Sequence, residues 1–138
     1  MQTQIETARH DAPGYRTLVA FEGWRVALMN DSPKTTVAGL TYLQKHNLSD
    51  EVFMLNRGRC VLILAGFGEQ PGEISAVDMQ PGTLYNIKKG VWHTHVFFEN
   101  TQVVIVENAD TGDGNSPKSD ITDAQRNEID RLCRTEKK

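Results

Sequence analysis

The chain has 138 residues, of which 15 are lysine or arginine and 18 are aspartate or glutamate, giving a net charge of -3. This length is typical of one globular domain, and the composition excludes a disordered chain, a collagen-like repeat and a coiled coil. Because there is no basic stripe to neutralise phosphates and no apolar run of bilayer length, we expect neither nucleic-acid nor membrane binding. The N-terminal segment 1–7 lacks a signal-peptide pattern, which predicts a cytoplasmic protein.

Short apolar runs, separated by glycine, proline and asparagine, follow one another without helical periodicity. This pattern favours an antiparallel sandwich or barrel. The predicted strands are 15–21, 24–29, 36–44, 51–56, 59–65, 73–78, 83–87, 92–98 and 102–107. After them comes a polar loop at 110–117. Apolar residues at helical spacing then predict an amphipathic helix over 123–135, and Thr122 and Gln125 fit a capping box. We expect a single domain over 1–138, with a barrel at about 15–108 and a loop and helix at 109–138.

Two of the predicted strands are apolar on both faces, at 61–64 and 103–106. Such strands lie at the centre of a sheet, or in a sheet whose outer face is covered by a second subunit, and we therefore expect a homodimer. Three aromatic residues are assigned to the core or to dimer contacts: Phe21, Trp24 and Phe98. The two cysteines, Cys60 and Cys133, are predicted to be buried free thiols and not part of a disulfide framework. The segment 1–14 is either an arm that packs on a partner subunit or a loose end.

The chain has only four histidines, and three of them lie in or beside predicted strands. Because residues two apart in a strand share a face, Gln44 and His46 point the same way, and so do His93 and His95. Glu51 opens the strand that follows His46, and a short kink would bring the two side chains together. Imidazole and carboxylate groups from neighbouring strands are suitable ligands for a divalent ion such as Zn, Mn, Fe or Ni.

Two stretches of the sequence resemble the motifs of the cupin superfamily. The first motif corresponds to His46, Glu51 and Gly58, and the second corresponds to Gly82, Gly90 and His93 at the family's spacing. The resemblance implies an all-β fold, an antiparallel jelly-roll barrel known as the double-stranded β-helix, here followed by a C-terminal helix. Three positions depart from the motifs: Gln44 replaces a histidine, Lys88 a proline and Phe97 an asparagine. Gln44 is a poorer ligand than imidazole for these metals, and His95 is a candidate to compensate.

Within the cupins, the sequence is similar to ureidoglycolate lyase. The similarity lies in a segment with Leu43, His46, Phe53 and Gly58, and in a second segment with Gly82, Tyr85, Trp92 and His93. It implies an enzyme that cleaves a carbon–nitrogen bond in a ureido-substituted hydroxy acid. The alternatives are a metal-dependent isomerase or oxygenase of the same superfamily, and a barrel that binds a small molecule without converting it.

These patterns give each candidate residue a role. Glu51 and His93 are the predicted catalytic residues. Gln44, Tyr85 and His95 are predicted to bind substrate. The predicted metal ligands are His46, Glu51 and His93, with Gln44 or His95 completing the set. A shifted pKa of a carboxylate or imidazole in such a barrel would suit proton transfer, and a metal would polarise a carbonyl or hydroxyl group.

Overall fold

The computed structural model describes residues 4–135 and consists of two five-stranded antiparallel sheets and one helix. The first sheet has the order β1-β2-β9-β4-β7, and the second has the order β10-β3-β8-β5-β6. The strands are β1 Gly14–Phe21, β2 Trp24–Asn30, β3 Tyr42–Gln44, β4 Glu51–Arg57, β5 Cys60–Leu64, β6 Ser75–Asp78, β7 Leu84–Ile87, β8 His93–Phe97, β9 Gln102–Asn108 and β10 Lys118–Asp120. The helix is α1 Asp123–Thr135. The predicted all-β jelly-roll with a C-terminal helix is confirmed.

The core between the sheets follows from alternation along the strands. Phe53 and Leu55 of β4 point inward, and Val103 and Ile105 of the neighbouring β9 do the same. The turn after β4 depends on Gly58, whose φ is +84°. A Cβ atom there would lie 2.3 Å from Thr101 Oγ1, so only glycine lets the two backbones approach this closely. The first motif therefore ends on a glycine for a steric reason.

A second apolar cluster lies on the outer face of the second sheet. It contains Val61 and Ile63 of β5 together with Ile129 and Cys133 of α1. The helix begins at the predicted capping box, in which Thr122 N donates to Gln125 Oε1 at 2.9 Å and Gln125 N to Thr122 Oγ1 at 3.1 Å. The strand at 61–64 is thus apolar on both faces because the chain's own helix covers it. This strand does not require a second subunit.

Two elements differ from the prediction by more than two residues. The strand expected over 36–44 is present only at Tyr42–Gln44. The residues before it form a 3₁₀ turn at Pro33–Thr35, which Ser32 caps, and this proline and hydroxyl chemistry favours a turn over a strand. Conversely, Lys118–Asp120 lies in the region assigned to a loop, yet it pairs with β3 as an edge strand. Its three polar residues carry no alternating pattern, so no sequence signal predicts this strand.

The N-terminal segment packs on the first sheet of the same chain. Asn30 Nδ2 donates to the carbonyl oxygens of His10 and Ala12, and Gln102 Nε2 also donates to the His10 carbonyl. Residues 4–14 are therefore anchored at His10, and residues 1–3 lie outside the described part of the chain. Cys60 and Cys133 are free and buried, as predicted, and burial raises the pKa of both thiols. Within residues 4–135, no helix has the length and apolar character needed to cross a bilayer.

Candidate metal and ligand site

A cavity of about 510 Å³ lies between the two sheets. Five of the residues singled out from the sequence line it, from both sheets and from the loop after β3: Gln44, His46, Glu51, His93 and His95. The pairing of β3 with β8 places Gln44 directly opposite His93, which brings the two motif segments together. All five residues that we expected to face one pocket line this cavity, although His46 lies beyond the end of β3.

Three of these side chains form a compact group. Glu51 Oε1 lies 3.1 Å from His46 Nε2 and 2.9 Å from His93 Nε2. All three residues are buried, with 6–8% of their surface exposed. One ligand atom from each lies within 4.8 Å of the other two. Two imidazole nitrogens and one carboxylate oxygen thus converge on one point inside the cavity.

The far side of each imidazole is held by a hydrogen bond that fixes its tautomer. His93 Nδ1 lies 3.0 Å from the Val91 carbonyl, which can only accept a hydrogen bond, so Nδ1 carries a proton. His46 Nδ1 lies 2.7 Å from Ser116 Oγ, whose single hydrogen is donated to Asn115 Oδ1 at 3.1 Å. Ser116 therefore accepts, and His46 Nδ1 is also protonated. Both neutral imidazoles then present the Nε2 lone pair to Glu51.

Three lone pairs directed at one point repel one another unless a positive charge lies among them. That charge is either a shared proton or a cation. When the group holds a shared proton, two effects act on the pKa of Glu51. Burial raises this pKa, but the hydrogen bonds with His46 and His93 lower it more, so the pKa of Glu51 lies well below its usual range. Burial lowers the pKa of His93, yet the Glu51 carboxylate raises it further, so the net shift is upward. A positive charge, either a shared proton or a bound cation, therefore stabilises the His46–Glu51–His93 group.

The sequence matches no protein-family model and no curated protein. Solved structures do resemble the chain. Streptomyces PAC13, solved with uridine, is 11% identical, with 87% of this chain and 91% of PAC13 covered and a TM-score of 0.56. The QdtA 3,4-ketoisomerase from Thermoanaerobacterium thermosaccharolyticum, solved with TDP, is 18% identical. The alignment covers 67% of this chain and 64% of QdtA, with a TM-score of 0.54. A cupin-2 domain containing protein from Shewanella frigidimarina is 22% identical. The alignment covers 74% of this chain and 84% of that protein, with a TM-score of 0.49. The chain has the cupin fold.

In this cupin fold, Gln44 stands beside the His–Glu–His group, where the motif has a histidine. Its side chain is half-buried, and Nε2 donates to the Ser116 carbonyl at 3.4 Å. Because the amide nitrogen makes this contact, the amide oxygen is the atom left for an ion or a ligand. The departure from the motif therefore keeps a polar group in place and exchanges a nitrogen ligand for a weaker oxygen ligand.

His95 lines the same cavity but lies outside the His–Glu–His group. Its ring lies between Phe53 and Phe97, at centroid distances of 5.8 and 5.1 Å. Burial and the neighbouring His93 lower the pKa of His95 to about 4, so it is neutral at neutral pH. In this position His95 is a cavity wall residue with an unpaired Nδ1 atom rather than a member of the ligand set.

Tyr85, which the sequence predicted to bind substrate, does not line this cavity. The residue belongs to β7, opposite Phe53, and lines a separate cavity together with Leu62 and Val91. Its hydroxyl accepts a hydrogen bond from Gln80 N at 2.8 Å. The motif spacing located Tyr85 in the correct strand, but spacing carries no information on which of two cavities an inward side chain meets.

Sequence reasoning missed most of the other residues that line the cavity, among them four that bear polar groups: Ser116, Tyr15, Arg25 and Glu107. Glu107 carried a readable signal. It follows Val103 and Ile105 at every second position of β9, so an acid occupies an inward position of an apolar strand. Ser116 carried no such signal, because it lies in a polar loop that the chain folds back onto β3.

Proposed function

We propose that the chain is an enzyme that acts on a small polar metabolite and uses a divalent metal held by His46, Glu51 and His93. The observation that carries this proposal is the convergence of two Nδ1-protonated imidazoles and one carboxylate on a single buried point. A cupin fold alone hosts many activities, so the argument rests on the site.

The donor set fits a transition-metal ion. Two ligands that each lie about 2.1 Å from an ion are about 3.0–3.4 Å apart for octahedral or tetrahedral angles. The observed separations from Glu51 Oε1 are 3.1 Å to His46 and 2.9 Å to His93. Imidazole and carboxylate ligands suit Zn, Mn, Fe or Ni, and the orienting contacts from Ser116 and Val91 are of the kind that metal-bound histidines make. Gln44 is placed to complete the set.

The chemistry divides between the ion and the protein. When bound, the ion would polarise a carbonyl or hydroxyl oxygen of the substrate. Glu51 and His93 are also the proposed catalytic residues: in the chain without an ion, the hydrogen bonds within the group lower the pKa of Glu51, and the Glu51 carboxylate raises the pKa of His93. Gln44 and His95 border the remaining space and are proposed to contact the substrate.

The specific reaction proposed is lyase-type cleavage of a carbon–nitrogen bond in a ureido-substituted hydroxy acid, on the resemblance of the motifs at 43–58 and 82–93. Support for a small-molecule pocket of some kind comes from the fold: PAC13 was solved with uridine, and QdtA is a ketoisomerase solved with TDP. An isomerase, an oxygenase and a non-catalytic binding barrel are the alternatives that a turnover assay separates.

The metal is tested on the full chain, expressed without a histidine tag and purified without chelator. We expect about one equivalent of Zn, Mn, Fe or Ni per chain by elemental analysis. Chelation should remove it, and re-addition should restore turnover of ureidoglycolate. Protein that contains no metal and takes none up at micromolar concentration would refute the metal centre. Full metal content without turnover of ureidoglycolate would refute the lyase reaction alone.

We also propose that the chain forms a homodimer through the outer face of the first sheet. The strand registers place Leu28, Val104, Met54 and Leu84 in one outward row across four strands. At one end of this face Phe21 and Trp24 are 59% and 44% exposed, with ring centroids 6.2 Å apart. Phe98 lies elsewhere, against the second cluster and Arg59. A continuous apolar row of this kind marks an interaction surface.

Light scattering tests the dimer. At micromolar concentration we expect a mass of about twice the 15.5 kDa of one chain. The Trp24→Lys variant places a charge in the apolar face and should give one chain mass with an unchanged circular dichroism spectrum. Wild-type protein at one chain mass would exclude the dimer, and a Trp24→Lys dimer would exclude this face.

A further inference from the structure

A second group of polar side chains lies on the wall of the same cavity. Glu107 is cross-strand neighbour to Glu51 on one side and to Arg25 on the other. Its side chain is only 3% exposed. Glu107 Oε2 accepts from the Tyr15 hydroxyl at 2.8 Å and from Arg25 at 2.9 and 3.3 Å. The two inward carboxylates of β4 and β9 thus lie next to each other, each with its own partners.

The other oxygen of Glu107 has no partner. Among residues 4–135, four buried side-chain polar atoms lack a hydrogen bond, and three belong to cavity residues: Glu107 Oε1, Thr111 Oγ1 and His95 Nδ1. A buried, unpaired acceptor costs about 1–3 kcal/mol, and more when it is charged. Unpaired atoms gathered in one cavity indicate a ligand that supplies the missing hydrogen bonds.

The chemistry of this wall restricts what can bind. Arg25 neutralises Glu107, and its guanidinium also donates to the carbonyls of Ala109 and Thr111, so little of its charge is free for an anion. The Tyr15 hydroxyl gives its hydrogen to Glu107 and also has a side-chain hydrogen bond with Thr17, so its oxygen can meet a ligand only as an acceptor. A carboxylate oxygen and a phenol oxygen both accept, so the complementary group on a ligand is a neutral donor.

We propose that Glu107 and Tyr15 form a subsite that binds a hydroxyl, amide or ureido donor of the substrate whose oxygen faces the His–Glu–His group. The inference rests on the proposed function and narrows its substrate class to molecules with a metal-binding oxygen at one end and neutral hydrogen-bond donors at the other. Glu107 and Tyr15 both line the cavity, and Glu107 Oε1 is buried without a partner.

The test uses two pairs of probe molecules that share a carboxylate. N-carbamoylglycine differs from N-acetylglycine by a terminal NH₂ in place of a methyl group, and glycerate differs from lactate by one added hydroxyl. Binding to the metal-supplemented full chain is measured by ligand-observed NMR titration. Wild-type protein should prefer the donor-bearing member of at least one pair by about tenfold, as expected for a hydrogen bond to a charged acceptor.

Two variants and one matched control locate the effect. Tyr15→Phe and Glu107→Gln should reduce that preference to less than threefold, while Tyr15→Phe keeps the metal content of the wild type. Tyr85→Phe removes a hydroxyl from the separate cavity and should keep the full preference. Wild-type protein without preference in either pair, or both variants with the full preference, would overturn the subsite. Neither result depends on the metal content of the protein. Elemental analysis therefore tests the metal centre separately from this subsite.

Discussion

Replacing Glu51 with glutamine is expected to weaken binding of Zn²⁺ or Mn²⁺ by at least 100-fold. The substitution preserves the shape of the side chain but removes the negative charge that two buried imidazoles face at 3.1 and 2.9 Å. A neutral amide is a weak ligand for these ions, and the remaining pair of histidines does not offset the loss. Isothermal titration calorimetry on metal-stripped protein measures the change directly.

The matched control for this variant is Glu128→Gln. Glu128 lies on the exposed face of α1 and pairs with Arg131, so its replacement removes the same charge far from the cavity. We expect wild-type metal affinity for the control. The Glu51→Gln protein should keep a strand-dominated circular dichroism spectrum, since the glutamine amide N–H can donate to the Nε2 lone pair of one imidazole. Metal affinity of Glu51→Gln within threefold of wild type would remove Glu51 from the ligand set.

Replacing Ser116 with alanine is the second large effect that we expect, with a 10- to 100-fold loss of metal affinity. Ser116 Oγ accepts from His46 Nδ1 at 2.7 Å and so holds Nε2 as the free lone pair directed at the cavity. Without it, His46 can rotate or change tautomer, and orienting contacts of this kind contribute about that much affinity. Threonine retains the hydroxyl, so Ser116→Thr should recover most of the affinity.

A spectroscopic readout separates this positioning role from general loosening of the loop. The Co²⁺-substituted protein should show a changed visible absorption spectrum in Ser116→Ala, because one imidazole moves, and a spectrum close to wild type in Ser116→Thr. Ser119→Ala, in the neighbouring β10, is the control and should change neither affinity nor spectrum. An unchanged Co²⁺ spectrum in Ser116→Ala would show that Ser116 does not orient His46.

The sequence supported the fold and the central three residues for one physical reason: inward and outward positions alternate along a strand. Glu51 and His93 could be placed because each opens a short, apolar strand, and His46 lies just beyond the end of β3. The same rule applies to Glu107, which interrupts the inward row of Val103 and Ile105.

Other features depend on contacts between distant segments that no local pattern encodes. Ser116 meets His46 only because β10 pairs with β3, and β10 consists of three polar residues without alternation. The separation of Tyr85 from the site depends on which of two cavities lies beneath β7. The burial of the outer face of β5 depends on where α1 packs against the second sheet. Each of these is set by packing between elements that are not adjacent in the sequence.

The pairing of β10 with β3 also orders events during synthesis. His46, Glu51 and His93 all leave the ribosome before Asn115 and Ser116, which align the first of them. A nascent chain that ends near residue 110 therefore contains every proposed ligand but lacks the hydroxyl that sets the His46 tautomer. If His46, Glu51 and His93 bind the proposed ion, its tight uptake is expected only after β10 has docked on β3.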